Sequence, residues 1–152
     1  MLREGATAPA FKTTDALGEK VQLKDFRGQK VVLYFYPKDD TPGCTKEACS
    51  FRDAFSEFEA QGIKVLGVSP DSETSHKKFA EKYNLPFTLL ADKDHAIADA
   101  YGTYGQKKFM GRTYMGVNRT TFLIDEKGKI KKIFAKVKPE EHAREVLEAF
   151  GE

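Results

Sequence analysis

The feature that most constrains the fold is an apolar run at residues 31–36 that ends at Pro37. An apolar run without polar alternation is typical of a strand buried on both faces of a sheet. Proline cannot donate to a β-ladder, so the strand ends there, and residues 41–43 (Thr-Pro-Gly) predict a tight loop. A second apolar run at 63–68 is also followed by a helical pattern. The sequence therefore predicts strand–helix–strand units and an α/β fold.

Turn residues and hydrophobic spacing predict the remaining elements. We expect an N-terminal hairpin (11–13 with 21–23), a main helix over 71–84 capped by Asp71, a strand at 87–90, a short helix at 92–101, a hairpin of strands 120–125 and 129–137, and a final helix from Pro139 to Gly151. No linker or repeat interrupts this pattern. The sequence predicts one domain over residues 1–152, with a central mixed sheet and flanking helices.

Composition excludes several classes of protein. The net charge of +2 comes from interspersed basic and acidic residues, so a nucleic-acid partner is not expected. The longest apolar run is far shorter than the about 20 residues that span a bilayer. The two cysteines and the absence of an apolar run after Met1 indicate a reducing compartment. We expect a soluble, cytoplasmic protein.

Cys44 falls at the predicted start of a helix. Apolar residues at 48, 51, 55 and 58 define one face of this helix. A helix start presents unpaired backbone N–H groups and the positive end of the helix dipole, and both favour a thiolate over a thiol. An ordinary cysteine has a pKa of about 8.5, so only a small fraction is ionised at neutral pH. The position therefore predicts a reactive cysteine.

The pattern Pro37-x-x-x-Thr41-x-x-Cys44 resembles the active-site signature of the peroxiredoxins. Cys49, five residues after Cys44, is similar to the second cysteine of the Q-type (bacterioferritin comigratory protein) subfamily, as are the segments 108–111 and 119–125. The likeness covers nearly the whole chain. It implies a thioredoxin-like fold, with the predicted N-terminal hairpin as an extension.

An arginine is expected beside Cys44. A helix dipole contributes about 0.3–1 kcal/mol, or about 2 in partly buried geometries, which is less than a strongly ionised thiol needs. A nearby guanidinium commonly lowers an acid's pKa by about 1–3 units. Arg119 is the candidate, because it matches the family arginine and enters a strand that the fold should place beside 31–36. Arg112 is the weaker competitor, because it does not adjoin a buried strand.

Other residues around Cys44 receive provisional roles. The Thr41 hydroxyl can donate to a peroxide oxygen or relay a proton, and the amides of Gly43 and Cys44 can stabilise developing charge. Pro37 is expected to shield the sulfur and shape the loop. Glu47 could orient an arginine, although we interpret it as an exposed helix carboxylate. Tyr36 lines the pocket or belongs to the core, and the sequence does not decide which.

The sequence supports no metal or nucleotide cofactor. Two cysteines would need two further ligands, and the histidines lie on separate segments at His76, His95 and His142. We interpret all three as surface helix residues. A Cys-x-x-Cys pair and a glycine-rich phosphate loop are both missing from the sequence.

The resemblance implies a thiol-dependent peroxidase that acts on hydrogen peroxide and organic hydroperoxides. Cys44 would become a sulfenic acid, Cys49 would resolve it as an intramolecular disulfide, and thioredoxin would reduce that disulfide. The same likeness implies a monomer. Two alternatives remain at this point: a thiol–disulfide oxidoreductase or redox sensor that uses the same cysteines, and a non-enzymatic thioredoxin-like binding module or holdase chaperone.

The spacing of the cysteines has a mechanical consequence. On one regular helix, Cys44 and Cys49 would lie about 140° apart around the axis and about 7.5 Å apart along it. Their Cα atoms would be about 8.7 Å apart, whereas disulfides rarely exceed about 7 Å. A disulfide between them therefore requires the helix to unwind.

Overall fold

A seven-stranded mixed sheet forms the centre of the computed structural model, which describes residues 2–151. Its strands are β1 (Lys12–Asp15), β2 (Lys20–Gln22), β3 (Lys30–Phe35), β4 (Ile63–Ser69), β5 (Thr88–Ala91), β8 (Thr120–Ile124) and β9 (Ile130–Phe134). Two further strands, β6 (Tyr104–Phe109) and β7 (Arg112–Val117), form a separate two-stranded sheet. The order in the sheet is β2-β1-β5-β4-β3-β8-β9. The neighbours β3, β4 and β5 are parallel, and the outer pairs are antiparallel.

Helices cover both faces of this sheet. They are α1 (Pro42–Asp53), α2 (Phe55–Ala60), α3 (Glu73–Tyr83), α4 (Ala96–Ala100) and α5 (His142–Phe150). Residues of α1, α2, α3 and α5 belong to one buried cluster, whereas α4 belongs to a second cluster on the opposite face. The sheet thus separates two apolar layers, which is the arrangement predicted from the apolar runs.

Strand β3 lies in the interior of the sheet, between β4 and β8. Val32 and Tyr34 pack in the cluster with α1, whereas Val31, Leu33 and Phe35 pack in the opposite cluster. Every residue from 31 to 36 is at most 1% exposed, because both faces of the strand are covered. The prediction of a doubly buried strand is therefore confirmed.

The boundaries of four helices differ from the sequence prediction. The short helix predicted over 92–101 covers only Ala96–Ala100. The predicted helix after Cys44 is interrupted at Ala54, whose φ of −99° and ψ of 6° separate α1 from α2. The cap of α3 is Ser72, whose hydroxyl accepts a bond from the Ser75 amide, and Asp71 lies outside the helix. The last helix begins at His142 rather than at Pro139.

The hairpin of β6 and β7 is absent from the sequence prediction. Its strands pair with each other from Tyr104↔Val117 to Phe109↔Arg112, outside the main sheet. The turn contains Met110 and Gly111, both with positive φ, as in the two-residue turns that suit a twisted hairpin. Most of its side chains are exposed, so no apolar alternation signalled the strands.

The pairing of β3 with β8 positions the functional site. The two strands are antiparallel, and Phe35 at the end of β3 lies opposite Thr120 at the start of β8. The loop that follows β3 and the residue that precedes β8, Arg119, are therefore brought to the same edge of the sheet.

Within residues 2–151, no helix has the length and apolar character needed to cross a membrane.

Candidate active site

Cys44 is the third residue of α1 and is 1% exposed. Thr41 caps the helix in an extended conformation, and Pro42 occupies its first position, where a missing N–H does no harm. Residues this early in a helix have no intrahelical acceptor for their amides, so the N–H groups of Gly43 and Cys44 are available near the sulfur. The predicted helix-start position of the cysteine is what the structure shows.

Arg119 bridges Cys44 and Glu47 with the two ends of its guanidinium. Nη2 donates to Cys44 Sγ at 3.3 Å, and Nη1 donates to Glu47 Oε1 at 2.6 Å. The Arg119 side chain is 22% exposed, so the contacts are largely shielded from water. Arg112, the competitor, is exposed at the start of β7 and lies opposite Phe109.

The interpretation of Glu47 as an exposed carboxylate is wrong. Its side chain is fully buried, because the face of α1 that carries it lies under Arg119. Burial raises the pKa of Glu47 to about 7, and the charge and hydrogen bond of Arg119 offset part of that rise. Glu47 therefore orients the arginine, the role that the sequence analysis ranked second.

Two buried polar atoms next to this pair have no hydrogen-bond partner among the described residues. They are Glu47 Oε2 and the hydroxyl of Tyr34. The Tyr34 ring fits because Gly67 has no side chain: a Cβ there would lie 2.9 Å from Tyr34 Cζ. Burial raises the pKa of Tyr34 well above its usual value, and the charges of Glu47 and Cys44 add to the rise. The hydroxyl therefore stays neutral beside the site.

Gly43 and Thr41 occupy the loop side of the sulfur. A Cβ on Gly43 would lie 3.1 Å from Arg119 Nη2, so this glycine allows the guanidinium to approach closely. The Thr41 hydroxyl donates to the Lys38 carbonyl oxygen at 2.9 Å, which leaves its oxygen free to accept a bond. Pro37 is half-buried at the start of the same loop. Their predicted functional roles stay predictions.

Cys49 lies on the same helix as Cys44 and is half-buried; both cysteines are free thiols. Helix α1 is continuous from Pro42 to Asp53, so the two thiols are held apart. The Ser50 hydroxyl accepts a bond from the Ala143 amide of α5 at 3.1 Å. This contact anchors the part of α1 that follows Cys49.

The loop before Cys44 is fixed to α3 through two consecutive aspartates. Asp39 is buried and accepts bonds from the hydroxyls of Tyr36 and Ser75, at 2.6 Å and 2.8 Å. Asp40 has a positive φ of 56°, and Lys82 and Tyr83 hold its carboxylate at 2.8 Å each. Tyr36, which the sequence left unassigned, belongs to the core and supports this loop.

The interpretation of His76 as a surface residue is also wrong. The ring is fully buried, with Nδ1 at 2.8 Å from Asp39 Oδ2 and Nε2 at 2.9 Å from the Leu90 carbonyl oxygen. Asp39, Asp71 and His76 bring ligand atoms within 4.8 Å of one another, a grouping that could hold a metal ion. Asp71 Oδ2 already accepts bonds from the Asp39 amide and the Ser69 hydroxyl. These bonds make the cluster a structural network.

His142 is likewise fully buried, contrary to the sequence interpretation. Its Nε2 lies 2.7 Å from Thr121 Oγ1, and the rings of Phe51 and Phe134 meet it edge-on. Burial, together with the Arg119 charge, lowers the pKa of His142 to about 4, so the ring is neutral at physiological pH. Of the three histidines, only His95 has a partly exposed side chain, at 40%.

These features define a class of protein: an α/β fold that presents a buried cysteine at a helix start, with an arginine on its sulfur. The AhpC/TSA family pattern matches residues 5–133. Peroxiredoxin Bcp of Bacillus subtilis is 49% identical over 95% of this chain and 92% of its own length. Peroxiredoxin Bcp of Escherichia coli K12 is 48% identical over 96% of this chain and 94% of its own length.

Solved structures show the same fold. Peroxiredoxin Q of Xanthomonas campestris has a TM-score of 0.88 and 38% identity, covering 93% of this chain and 90% of that one. A PrxQ structure from Xylella fastidiosa has a TM-score of 0.94 and 33% identity, covering 99% of this chain and 96% of that one. The predicted thioredoxin-like fold is thereby confirmed.

The chain belongs to the AhpC/TSA family, within its Bcp or peroxiredoxin Q group. It is a thiol-dependent peroxidase. The two alternatives, an oxidoreductase or sensor without peroxide turnover and a non-enzymatic binding module, are therefore set aside.

Replacement of Gly43 by alanine tests the close approach of Arg119. The added Cβ, 3.1 Å from Nη2, should push the guanidinium away from Cys44 and slow peroxide attack about three- to tenfold. Stability should not fall, because alanine is the better helix former by up to about 1 kcal/mol. Stopped-flow oxidation and urea unfolding measure the two effects. Gly105→Ala is the control, because its Cβ would meet nothing closer than 3.7 Å; equal rates in both variants would contradict the prediction.

The raised pKa of Glu47 predicts a pH-dependent stability. As pH rises from the usual carboxyl value of 4.5 to about 7, the unfolded chain releases this proton first, so the folded state loses up to about 3 kcal/mol. Glu47→Gln should remove that loss. Urea unfolding of the reduced proteins at about pH 5 and about pH 8 should show the variant gaining stability relative to the parent at the higher pH. Glu59→Gln, at an exposed position on α2, is the control; the same pH response in both variants would refute the assignment.

Proposed function

We propose that Cys44 is the peroxidatic residue. Its thiolate attacks the terminal oxygen of a hydroperoxide, the O–O bond breaks, and the leaving oxygen takes a proton to become water or an alcohol. Cys44 is oxidised to the sulfenic acid while the peroxide is reduced. The observation that carries this proposal is the 3.3 Å contact between Arg119 Nη2 and Cys44 Sγ at the start of α1.

Arg119, Thr41 and the amides of Gly43 and Cys44 stabilise the transition state in this proposal. Negative charge moves from the sulfur to the leaving oxygen, so donors fixed beside both atoms gain strength as the reaction proceeds. The Thr41 hydroxyl donates a hydrogen bond to the Lys38 carbonyl oxygen, which supports a role for the Thr41 oxygen as the acceptor of a bond from the peroxide hydrogen. Pro37 excludes water from the same side of the loop.

Cys49 resolves the sulfenic acid. Its thiol attacks the oxidised Cys44 sulfur, a disulfide forms within the chain, and water leaves. The continuous helix α1 keeps the two residues apart, so its first turns unwind before this step. The bond from Ala143 to Ser50 and the bond from Arg52 to the Tyr83 carbonyl oxygen, at 2.9 Å, support a limit to the unwinding just after Cys49.

A dithiol protein reduces the disulfide and closes the cycle. Family membership supports thioredoxin in this role, acting in the cytoplasm. The enzyme acts as a monomer in this proposal, because both cysteines lie in one chain. Hydrogen peroxide and alkyl hydroperoxides are the proposed substrates. The bacterioferritin comigratory protein of X. campestris, with 37% identity, is described by its alkyl peroxide reduction activity.

Serine variants of the two cysteines separate their roles. Cys44→Ser should abolish oxidation by peroxide, because the nucleophile is lost. Cys49→Ser should keep one rapid oxidation and lose turnover with thioredoxin, because no disulfide forms. Stopped-flow fluorescence with hydrogen peroxide and with cumene hydroperoxide measures the first step, and a coupled thioredoxin reductase assay measures turnover. Equal loss of the first oxidation in both variants would overturn the assignment.

Hydrogen exchange tests the unwinding of α1. In the disulfide state, amides from Thr45 to Cys49 should exchange at least about tenfold faster than in the reduced state, because their helical bonds are open. The Ala54 and Phe58 amides should stay protected, because they donate to the Ser50 and Ala54 carbonyl oxygens, which lie beyond the unwound turns. The Cys49→Ser variant under reducing conditions is the control. An unchanged exchange pattern after disulfide formation would rule out the unwinding step.

A further inference from the structure

Lys107 lies on the β6–β7 hairpin with its ammonium turned back toward the chain that leads to Arg119. Its neighbours Gln106 and Lys108 are exposed, whereas Lys107 is half-buried. Its Nζ donates to the Val117 carbonyl oxygen at 2.9 Å, two residues before Arg119. A lysine that only solubilised the hairpin would extend into water, so this orientation needs an explanation.

The Lys107 side chain can follow this path because residue 116 is a glycine. A Cβ on Gly116 would lie 3.2 Å from Lys107 Cδ, which is closer than ordinary van der Waals contact. The Lys107 stem crosses the hairpin surface over Gly116, where no side chain blocks it. The local sequence therefore makes room for Lys107 to lie across the hairpin.

The charges of Arg119 and Cys44 act on the Lys107 ammonium. Burial lowers the pKa of Lys107, the Arg119 charge lowers it further, and the Cys44 charge raises it. Electrostatic coupling is reciprocal, so a cation that a thiolate stabilises also stabilises that thiolate.

Lys107 supplies charge that Arg119 cannot supply in full. Arg119 is paired with Glu47, and an ionised Glu47 neutralises much of its field at the sulfur. Within residues 2–151, no carboxylate lies within 4.0 Å of the Lys107 ammonium.

We propose that Lys107 is a second cation of the peroxidatic site, where it stabilises the Cys44 thiolate and, through Val117, helps to position Arg119. This inference rests on the proposed role of Cys44 as the attacking residue. Lys107 does not touch the sulfur; it is a positioning residue that acts through the electrostatic field and through the backbone before Arg119.

Alkylation by reagents of different charge tests this proposal. A thiolate attacks the iodine-bearing carbon of both iodoacetamide, which is neutral, and iodoacetate, which is an anion, and displaces iodide in each case. The ratio of the two rates therefore cancels the ionised fraction and reports the local potential. The ratio is measured at one fixed pH in the Cys49→Ser background, where Cys44 is the only thiol. Peroxide attack is measured in the same proteins by stopped flow.

Lys107→Met should lower the iodoacetate-to-iodoacetamide ratio and the peroxide rate constant, each about three- to tenfold. Lys107→Arg should restore most of both values, because it keeps the charge. Lys108→Met is the matched control on the exposed face of the same strand, and it should change neither. Gly116→Ala displaces the lysine stem without removing the charge, so it should give an intermediate loss of both values. This variant provides the test if Lys107→Met does not fold.

Two results would overturn the proposal: a Lys107→Met variant that matches Lys108→Met, or equal slowing with both alkylating reagents, which indicates a purely structural role. If Lys107→Met does not fold, an unchanged ratio in Gly116→Ala would overturn it. Failure of the proposed function is recognised separately, because the parent protein would then show no rapid reaction of Cys44 with peroxide. The alkylation ratio is still measurable in that case.

Discussion

The site depends on the two contacts of the Arg119 guanidinium, because they join the first turn of α1 to the start of β8. It contacts Cys44 at 3.3 Å and Glu47 at 2.6 Å. Both contacts require the antiparallel pairing of β3 with β8, which brings the two segments to one edge of the sheet. They also require Gly43, because a side chain at that position would crowd Nη2.

Glu47 has two opposite effects on the site: it positions Arg119, and it weakens the electrostatic effect of Arg119 on the sulfur. Its carboxylate holds Arg119 in place, but its burial is unfavourable for a charge, and an ionised Glu47 weakens the arginine's attraction for the thiolate. The unpartnered Oε2 is part of that penalty. The helix dipole and the free amides add positive potential at the sulfur.

Local sequence patterns predicted much of the fold, and they placed Cys44 at a helix start. The apolar run of β3, the stop at Pro37 and the helix start at Cys44 depend only on neighbouring residues, so they were predictable. The burial of Glu47, His76 and His142 depends on elements distant in sequence: Arg119 covers the first, Asp39 and Leu90 hold the second, and Thr121 and Phe51 enclose the third. A charged or polar residue on a helix carries no local signal of such partners.

In the proposed mechanism, oxidation of Cys44 itself favours the unwinding that resolution needs. While the sulfur is a thiolate, its bond from Arg119 joins two opposite charges. Conversion to a neutral sulfenic acid removes the negative charge while the guanidinium keeps its own, so the contact weakens and the first turn of α1 loosens. The anchors at Ser50 and Arg52 do not involve the sulfur, so the rest of the helix keeps its stability. The reaction thus lowers the barrier to its own next step only where Cys49 has to move.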